Sequence, residues 1–116
     1  MFAINFYPEL YESVLKEGRK TVTIRLGDKA CKYQSGQIVW LTVGHRFSRR
    51  TKLFSAVLDR VEVKPISDLS PRDISRENSQ FRTPEDVRDL LERIHDRPIA
   101  LQELVTVIYF SAIDGA

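Results

Sequence analysis

Short segments of alternating or continuous apolar residues predict that much of this chain forms β-strands. Some segments have the two-residue period of a half-buried strand, and others are continuous runs rich in β-branched and aromatic residues. Glycine or proline residues typical of turns separate several of them. The predicted strands cover residues 2–6, 21–26, 38–43, 53–63 and 101–113.

Two other segments carry helical signals. Pro8 predicts the first turn of a short helix that ends at Gly18. Thr83 has the features of an N-cap, because a proline and two acidic residues follow it. Apolar positions then recur on one helical face, at Val87, Leu90, Leu91 and Ile94. Residues 66–82 contain only short polar helical signals and are predicted to be largely irregular.

The order of these elements predicts the fold class. Strands do not alternate regularly with helices, which argues against a parallel βαβ sheet. We expect an α+β fold, a small β-barrel or strongly curved sheet of about five or six mostly antiparallel strands with two or three flanking helices. With 116 residues, 42% of them hydrophobic, residues 1–116 are expected to form a single domain with its own core.

Several function classes lack support in the sequence. Cys31 is the single cysteine, which excludes an internal disulfide, and we expect it to behave as a small hydrophobic residue rather than a nucleophile. His45 and His95 lie fifty positions apart without metal-ligand spacing, so no metal and no cofactor are predicted. Neither a signal peptide nor a membrane-spanning run is visible, so we expect a cytoplasmic protein without a membrane partner.

The formal net charge of +2 hides an uneven distribution. Residues 1–52 carry ten Lys or Arg and four Asp or Glu, whereas residues 53–116 carry eight and twelve. A basic first half favours an anionic ligand. Residues 45–52 are predicted to form an exposed basic loop that either contacts phosphates or only keeps a hairpin tip soluble. Trp40, within an apolar strand, is expected in the core.

Residues 18–25, GRKTVTIR, place cations and hydroxyls where a helix gives way to a strand. Thr21, Thr23 and Arg25 would face away from the apolar side chains of this strand, into solvent or a cleft. Lys20 lies three positions before Thr23, so the two side chains would point to opposite faces of a continuous strand. They converge only if Lys20 lies in the turn before the strand.

The GRKTVTIR segment, followed by the turn at residues 35–37 and an apolar strand, resembles the ASCH domain of the PUA-like superfamily. The similarity is greatest to the short bacterial N4-acetylcytidine amidohydrolases. The Glu77-Asn78 pair and the closing strand around Tyr109 also resemble features of these enzymes. The resemblance covers nearly the whole chain and implies a PUA-like barrel that acts on a modified nucleoside or on RNA.

The resemblance also implies site residues. Lys20, Thr23 and Glu77 would be catalytic and would hydrolyse the amide of an acylated nucleoside. The implied substrate-binding residues are Arg19, Thr21, Arg25, Tyr33 and Asn78. Residues 45–52 are longer and more basic than in those enzymes, which favours RNA as an alternative ligand. An RNA-binding module, with or without weak ribonuclease activity, would use the cleft and Arg46, Arg49, Arg50 and Lys52.

The implied chemistry suits these residue types. Amide hydrolysis needs a nucleophile, a proton shuttle and a group that stabilises the oxyanion. Thr23 supplies a hydroxyl, which Lys20 would activate if burial or nearby cations lowered the pKa of its amine. Glu77 would relay a proton or orient Lys20, and its negative charge would raise the pKa of that amine. The sequence leaves open which of these effects is larger.

Overall fold

The computed structural model describes residues 2–6, 11, 15–18, 20–45 and 47–113. Within these residues the chain forms one five-stranded sheet and two α-helices. The strands are β1 (Ala3–Phe6), β2 (Val22–Leu26), β3 (Ile38–Val43), β4 (Thr51–Pro65) and β5 (Leu104–Ala112). The helices are α1 (Pro71–Glu77) and α2 (Pro84–His95), and a 3₁₀ turn (Ile66–Asp68) links β4 to α1.

The strand order in the sheet is β1-β3-β4-β5-β2. Only β1 and β3 run parallel, and the other three pairs are antiparallel. Register shifts between Leu41 and Thr42 and between Leu58 and Arg60 mark bulges, which strengthen the twist of the strands that carry them. The sheet curls into a half-barrel flanked by the two helices. The predicted α+β small-barrel fold with mostly antiparallel strands is therefore confirmed.

Two hydrophobic clusters pack against the sheet. The first fills the inside of the curl and includes Phe6, Leu41, Ile108 and Leu90. The second joins β2 and β5 to both helices, through residues such as Val22, Ile74, Leu91 and Val107. Leu90 and Leu91 are adjacent in α2 but belong to different clusters. This helix therefore covers the boundary between the two clusters, and the site described below opens there.

Helix α1 corrects the prediction that residues 66–82 are largely irregular. Ser70 is its N-cap: the Ser70 hydroxyl accepts a hydrogen bond from Asp73 N (3.1 Å), and Asp73 Oδ2 accepts one from Ser70 N (3.0 Å). Pro71 occupies the first turn, where its missing N–H costs nothing. Asp73 Oδ2 also accepts a hydrogen bond from Lys64 Nζ (2.7 Å), and Asp73 Oδ1 accepts one from the Tyr109 hydroxyl. These contacts hold α1 against β4 and β5.

The second predicted helix is confirmed. Thr83 caps α2 in a reciprocal capping box with Asp86, and Val87, Leu90 and Leu91 are buried. The helix predicted between Pro8 and Gly18 falls largely outside the described residues. No described helix has both the length and the apolar character needed to cross a membrane.

Two single-residue expectations were wrong. Trp40 is 42% exposed, because Val39 and Leu41 take the inward positions of β3 and Trp40 points the other way. Cys31 is exposed in the turn after β2, so it does not serve as a small core residue. Among the described residues, no three His, Cys, Asp or Glu side chains are grouped as metal ligands.

Candidate active site

A pocket of about 280 Å³ opens between β1, β2 and α2. Apolar side chains from the sheet and from α2 form much of its wall, including Phe6, Ile24, Leu90 and Leu91. The polar and charged side chains in the described wall come from five segments of the chain: Asn5, Tyr11, Thr23, Arg25, Lys29, Lys32, Tyr33, Glu77 and His95. A mainly apolar cleft with a few converging polar groups is the usual form of a small-molecule site.

Thr23 and Arg25 reach the pocket from the same face of β2. Arg25 Nε donates a hydrogen bond to Thr23 Oγ1 (2.9 Å), and an Nη2 hydrogen goes to the main-chain oxygen of Asn5 (3.1 Å). The guanidinium also lies over the Phe6 ring, 4.8 Å from its centroid. Thr23 is 2% exposed, so its hydroxyl lies in a water-poor setting beside a fixed positive charge.

Lys20 and Glu77 form a buried ion pair behind the pocket wall. Lys20 lies in the turn before β2, and Glu77 is the last residue of α1. Lys20 Nζ donates to Glu77 Oε2, to the Glu77 main-chain oxygen (2.8 Å) and to Val22 O (2.7 Å). Glu77 Oε1 accepts a hydrogen bond from Ile24 N (3.1 Å). Both side chains are thereby fixed, at 2% and 3% residual exposure.

Burial dominates the electrostatics of this pair. It lowers the pKa of Lys20 to about 8, because the desolvated ammonium is disfavoured, and the charge of Arg25 acts in the same direction. The charge and hydrogen bond of Glu77 oppose that shift without cancelling it. The Tyr11 ring, whose centroid lies 4.2 Å from Lys20 Nζ, adds a cation–π contact. Glu77 lines the pocket whereas Lys20 lies behind it, so Glu77 is the member of the pair presented to a ligand.

Tyr11 is a site residue that sequence reasoning missed. Its side chain lines the pocket and is buried, yet its hydroxyl has no hydrogen-bond partner among the described residues. Burial raises its pKa, and the negative charge of Glu77 raises it further, so the phenol stays protonated. A buried donor without a partner is costly unless a ligand satisfies it. No spacing signal in the sequence connects Tyr11 to Thr23 or Glu77.

Comparison with known proteins gives the fold its place. No protein-family model matches this sequence, and no curated protein matches it. Three solved structures superpose over most of the chain. An ASCH domain from Lactobacillus crispatus JV V101 gives a TM-score of 0.66 at 13% identity, covering 95% of this chain and 77% of the other.

The other two structures carry less specific descriptions. Protein EF3133 from Enterococcus faecalis V583, described with the family model DUF984, gives a TM-score of 0.68 at 17% identity, covering 97% and 81% of the two chains. Hypothetical protein PH0355 gives 0.68 at 16% identity, covering 97% and 98%. This chain has an ASCH-like fold. Identities this low establish the fold and leave the chemistry to the site.

Within this ASCH-like fold, the predicted substrate-binding residues separate into two groups. Tyr33 and Arg25 line the pocket. Thr21 and Asn78 are not among the described residues of the wall: Thr21 precedes β2, and Asn78 caps α1 by donating its main-chain N–H to Ile74 O (3.1 Å). Arg19 lies outside the described residues.

The predicted nucleic-acid residues lie apart from the pocket wall. Arg49 and Arg50 are exposed in the loop between β3 and β4, and Lys52 is exposed on β4. Lys52 Nζ lies 5.0 Å from the centroid of the Trp40 ring. Phe47, in the same loop, is 93% exposed. Arg46 is outside the described residues. The ASCH-like fold therefore carries a pocket and, separately, a basic surface with aromatic side chains.

Proposed function

We propose that this chain is an amidohydrolase that takes a modified nucleoside into the pocket and hydrolyses the N4-acetyl amide of N4-acetylcytidine. On this proposal, residues 1–116 form a single ASCH domain. The supporting observation is that Thr23 from β2 and Glu77 from the end of α1 line one pocket, while Lys20 neutralises Glu77 from behind. A hydroxyl and a fixed carboxylate in a water-poor cleft are the groups that acyl transfer through a covalent intermediate needs.

The proposed reaction has two halves. Thr23 Oγ attacks the acetyl carbonyl carbon, and the hydroxyl proton passes to Glu77. The unpartnered Tyr11 hydroxyl donates to the oxyanion of the tetrahedral intermediate. The bond between N4 and the carbonyl carbon then breaks, and Glu77 returns the proton to N4 as cytidine leaves. Water attacks the resulting acetyl ester on Thr23 by the same route and releases acetate.

Arg25 and Lys20 support this chemistry from outside the reacting atoms. The hydrogen bond from Arg25 Nε to Thr23 Oγ1 stabilises negative charge that develops on the nucleophile. Lys20 directs its three hydrogen bonds at Glu77 and at Val22 O, so it fixes the carboxylate and offsets its charge. We therefore assign proton transfer to Glu77 and positioning to Lys20.

The test is cytidine release from N4-acetylcytidine, followed by chromatography with purified protein. Thr23→Val keeps the shape of the side chain without its hydroxyl and should lower kcat/KM by at least about 100-fold. Thr23→Ser keeps the hydroxyl and should retain most activity, which makes it the matched control. Absence of cytidine with wild-type protein at high concentration overturns the proposal, as does an active Thr23→Val variant.

The exposed basic surface favours RNA binding as a second candidate function. Trp40 with Lys52 above its ring, exposed Phe47 and two free-standing arginines combine stacking platforms with phosphate contacts. The Arg49→Gln/Arg50→Gln variant should weaken binding of a single-stranded RNA and reduce its salt dependence by about one to two contacts. Arg72→Gln/Arg93→Gln, which removes two exposed arginines from the helices, is the control. Equal loss in both variants contradicts a specific surface.

A further inference from the structure

The pocket carries more positive than negative charge. Arg25, Lys29 and Lys32 line it, whereas Glu77 is the one carboxylate in the described part of its wall. Lys20 already neutralises Glu77. Neither Lys29 nor Lys32 forms an ion pair with any described carboxylate. A pocket with two unpaired lysines attracts a ligand that carries negative charge.

The two lysines share one side of a short, anchored turn. The main-chain N–H groups of Lys32 and Tyr33 both donate to Lys29 O, at 2.9 and 3.0 Å. Residues three apart in one helical turn are neighbours, so Lys29 and Lys32 point in a common direction. Lys29 N donates to Thr106 Oγ1 (2.8 Å), which ties the turn to β5. The buried Tyr33 ring anchors its other end in the pocket wall.

Aromatic rings position the ammonium group of Lys32. Its Nζ lies 5.3 Å from the centroid of the Tyr33 ring and 5.7 Å from that of Phe2. Phe2 and Tyr33 meet edge to face with centroids 6.1 Å apart. Lys29 and Lys32 are both exposed, so they lie at the mouth of the pocket, whereas Thr23 and Glu77 are buried within it. Charge for a ligand anion and the reactive groups therefore occupy opposite ends of one cleft.

We propose that the ligand of this pocket is a pyrimidine nucleoside 5′-monophosphate, with its phosphate held by Lys29 and Lys32. This inference rests on the proposed function for the acylated base, which would lie near Thr23 and Glu77. The sugar spans the distance between the two ends. A cavity of about 280 Å³ accepts one nucleotide rather than a length of chain, which favours a mononucleotide over RNA.

The experiment compares N4-acetylcytidine with its 5′-monophosphate as substrates, and cytidine with cytidine 5′-monophosphate as ligands in calorimetry. The phosphate should improve kcat/KM and affinity by about tenfold at low salt, the gain of one charge-assisted contact, and the gain should shrink at high salt. Lys29→Gln/Lys32→Gln should abolish the gain and leave nucleoside turnover unchanged. Lys16→Gln, an exposed lysine outside the described pocket wall, should preserve it.

The outcomes separate this inference from the proposed function. Equal kcat/KM for nucleoside and nucleotide overturns the phosphate site and leaves the amidohydrolase intact. Tighter binding of the monophosphate without turnover of either substrate supports the phosphate site and overturns the amidohydrolase. An oligoribonucleotide that binds more tightly than the monophosphate, and loses affinity in Arg49→Gln/Arg50→Gln, overturns the mononucleotide in favour of RNA.

Discussion

The amine of Lys20 is the titratable group on which the state of the candidate site most depends. Its pKa falls to about 8 because it is buried, so its charge changes within a pH range that the folded protein can experience. When the ammonium is present, Glu77 has its counter-ion. When the amine is neutral, the buried carboxylate loses that compensation, and an uncompensated buried charge is strongly unfavourable.

The pH profile of kcat/KM discriminates between two roles for Lys20. If Lys20 positions Glu77, activity on N4-acetylcytidine should fall as pH rises through about 8, because the ion pair is lost on deprotonation. If Lys20 were instead the general base, activity would rise through the same pH, since only the neutral amine accepts a proton. A rising limb with an inflection near 8 therefore contradicts our assignment. The ¹⁵N shift of Lys20 Nζ, followed over the same pH range, identifies the titrating group.

Residues far apart in sequence explain why the site could be predicted only in part. Thr23 and Arg25 were readable from the alternation of β2, and both line the pocket. The pairing of Lys20 with Glu77 crosses 57 positions and follows from the docking of α1, which no local pattern specifies. Their placement together was an implication of the family resemblance alone. Tyr11 has no such signal, and its importance depends on a hydroxyl left without a described partner.

At the scale of elements, α1 determines where the carboxylate of Glu77 lies. Asp73 joins the helix to the sheet through Lys64 and Tyr109, and Glu77 follows one helical turn later. Burial alone would raise the pKa of Asp73, but hydrogen bonds from Lys64, Tyr109 and the Ser70 main chain lower it overall. The carboxylate therefore remains ionised and keeps its three partners near neutral pH.

The Asp73→Asn variant tests this anchor. It should lower the free energy of unfolding by about 2 kcal/mol, because both the capping box and the charged contact with Lys64 are weakened. It should also lower kcat/KM, since Glu77 is no longer held in place. Urea denaturation and turnover of N4-acetylcytidine measure the two effects.

The control is Asp86→Asn, which removes the equivalent capping carboxylate of α2. Asp86 accepts hydrogen bonds from the Arg82 and Thr83 main chains but has no printed contact with the sheet among its described partners. Its loss should therefore cost stability without a matching loss of kcat/KM. If both variants lose activity equally, the anchor between Asp73 and the sheet does not position Glu77.

Helix prediction failed at one place where the signal was present. Residues 70–73 read Ser-Pro-Arg-Asp and residues 83–86 read Thr-Pro-Glu-Asp, so both have a hydroxyl cap, a proline and an acid at the third helical position. The second was identified because a long apolar stripe follows it. The first precedes only seven helical residues, too few for the stripe to be recognised. Trp40 was misplaced for a related reason, because a run of apolar residues hid the alternation of β3.

At the scale of the whole molecule, the sheet has two edge strands, β1 and β2, and the pocket lies where they approach each other. The described contact between them is a side-chain one: Arg25 on β2 donates from Nη2 to Asn5 O on β1 (3.1 Å). Arg25 also contacts Thr23 and Phe6. One guanidinium thus serves the scaffold and the candidate site together.

We expect Arg25→Lys to lower the free energy of unfolding by about 1–3 kcal/mol, because an ammonium does not reproduce the planar, forked contacts of a guanidinium. Activity on N4-acetylcytidine should fall as well, since Thr23 loses its hydrogen-bond donor. Arg60→Lys is the matched control, because Arg60 also stacks on an aromatic ring, 4.2 Å from the Tyr109 centroid, but is exposed. A similar thermal midpoint for both variants contradicts the bridging role of Arg25.

The bridge from Arg25 to Asn5 has a consequence for how such a site adapts. In a closed barrel, the width of the bore is set by strand number and stagger, which change only when the backbone is rebuilt. Here a single side chain spans the gap between the strands, so its length and shape set the width of the opening. A shorter residue at position 25 widens the entrance while the strand pairing stays as it is. The range of acyl groups admitted is then a property that point substitution tunes, independently of the fold.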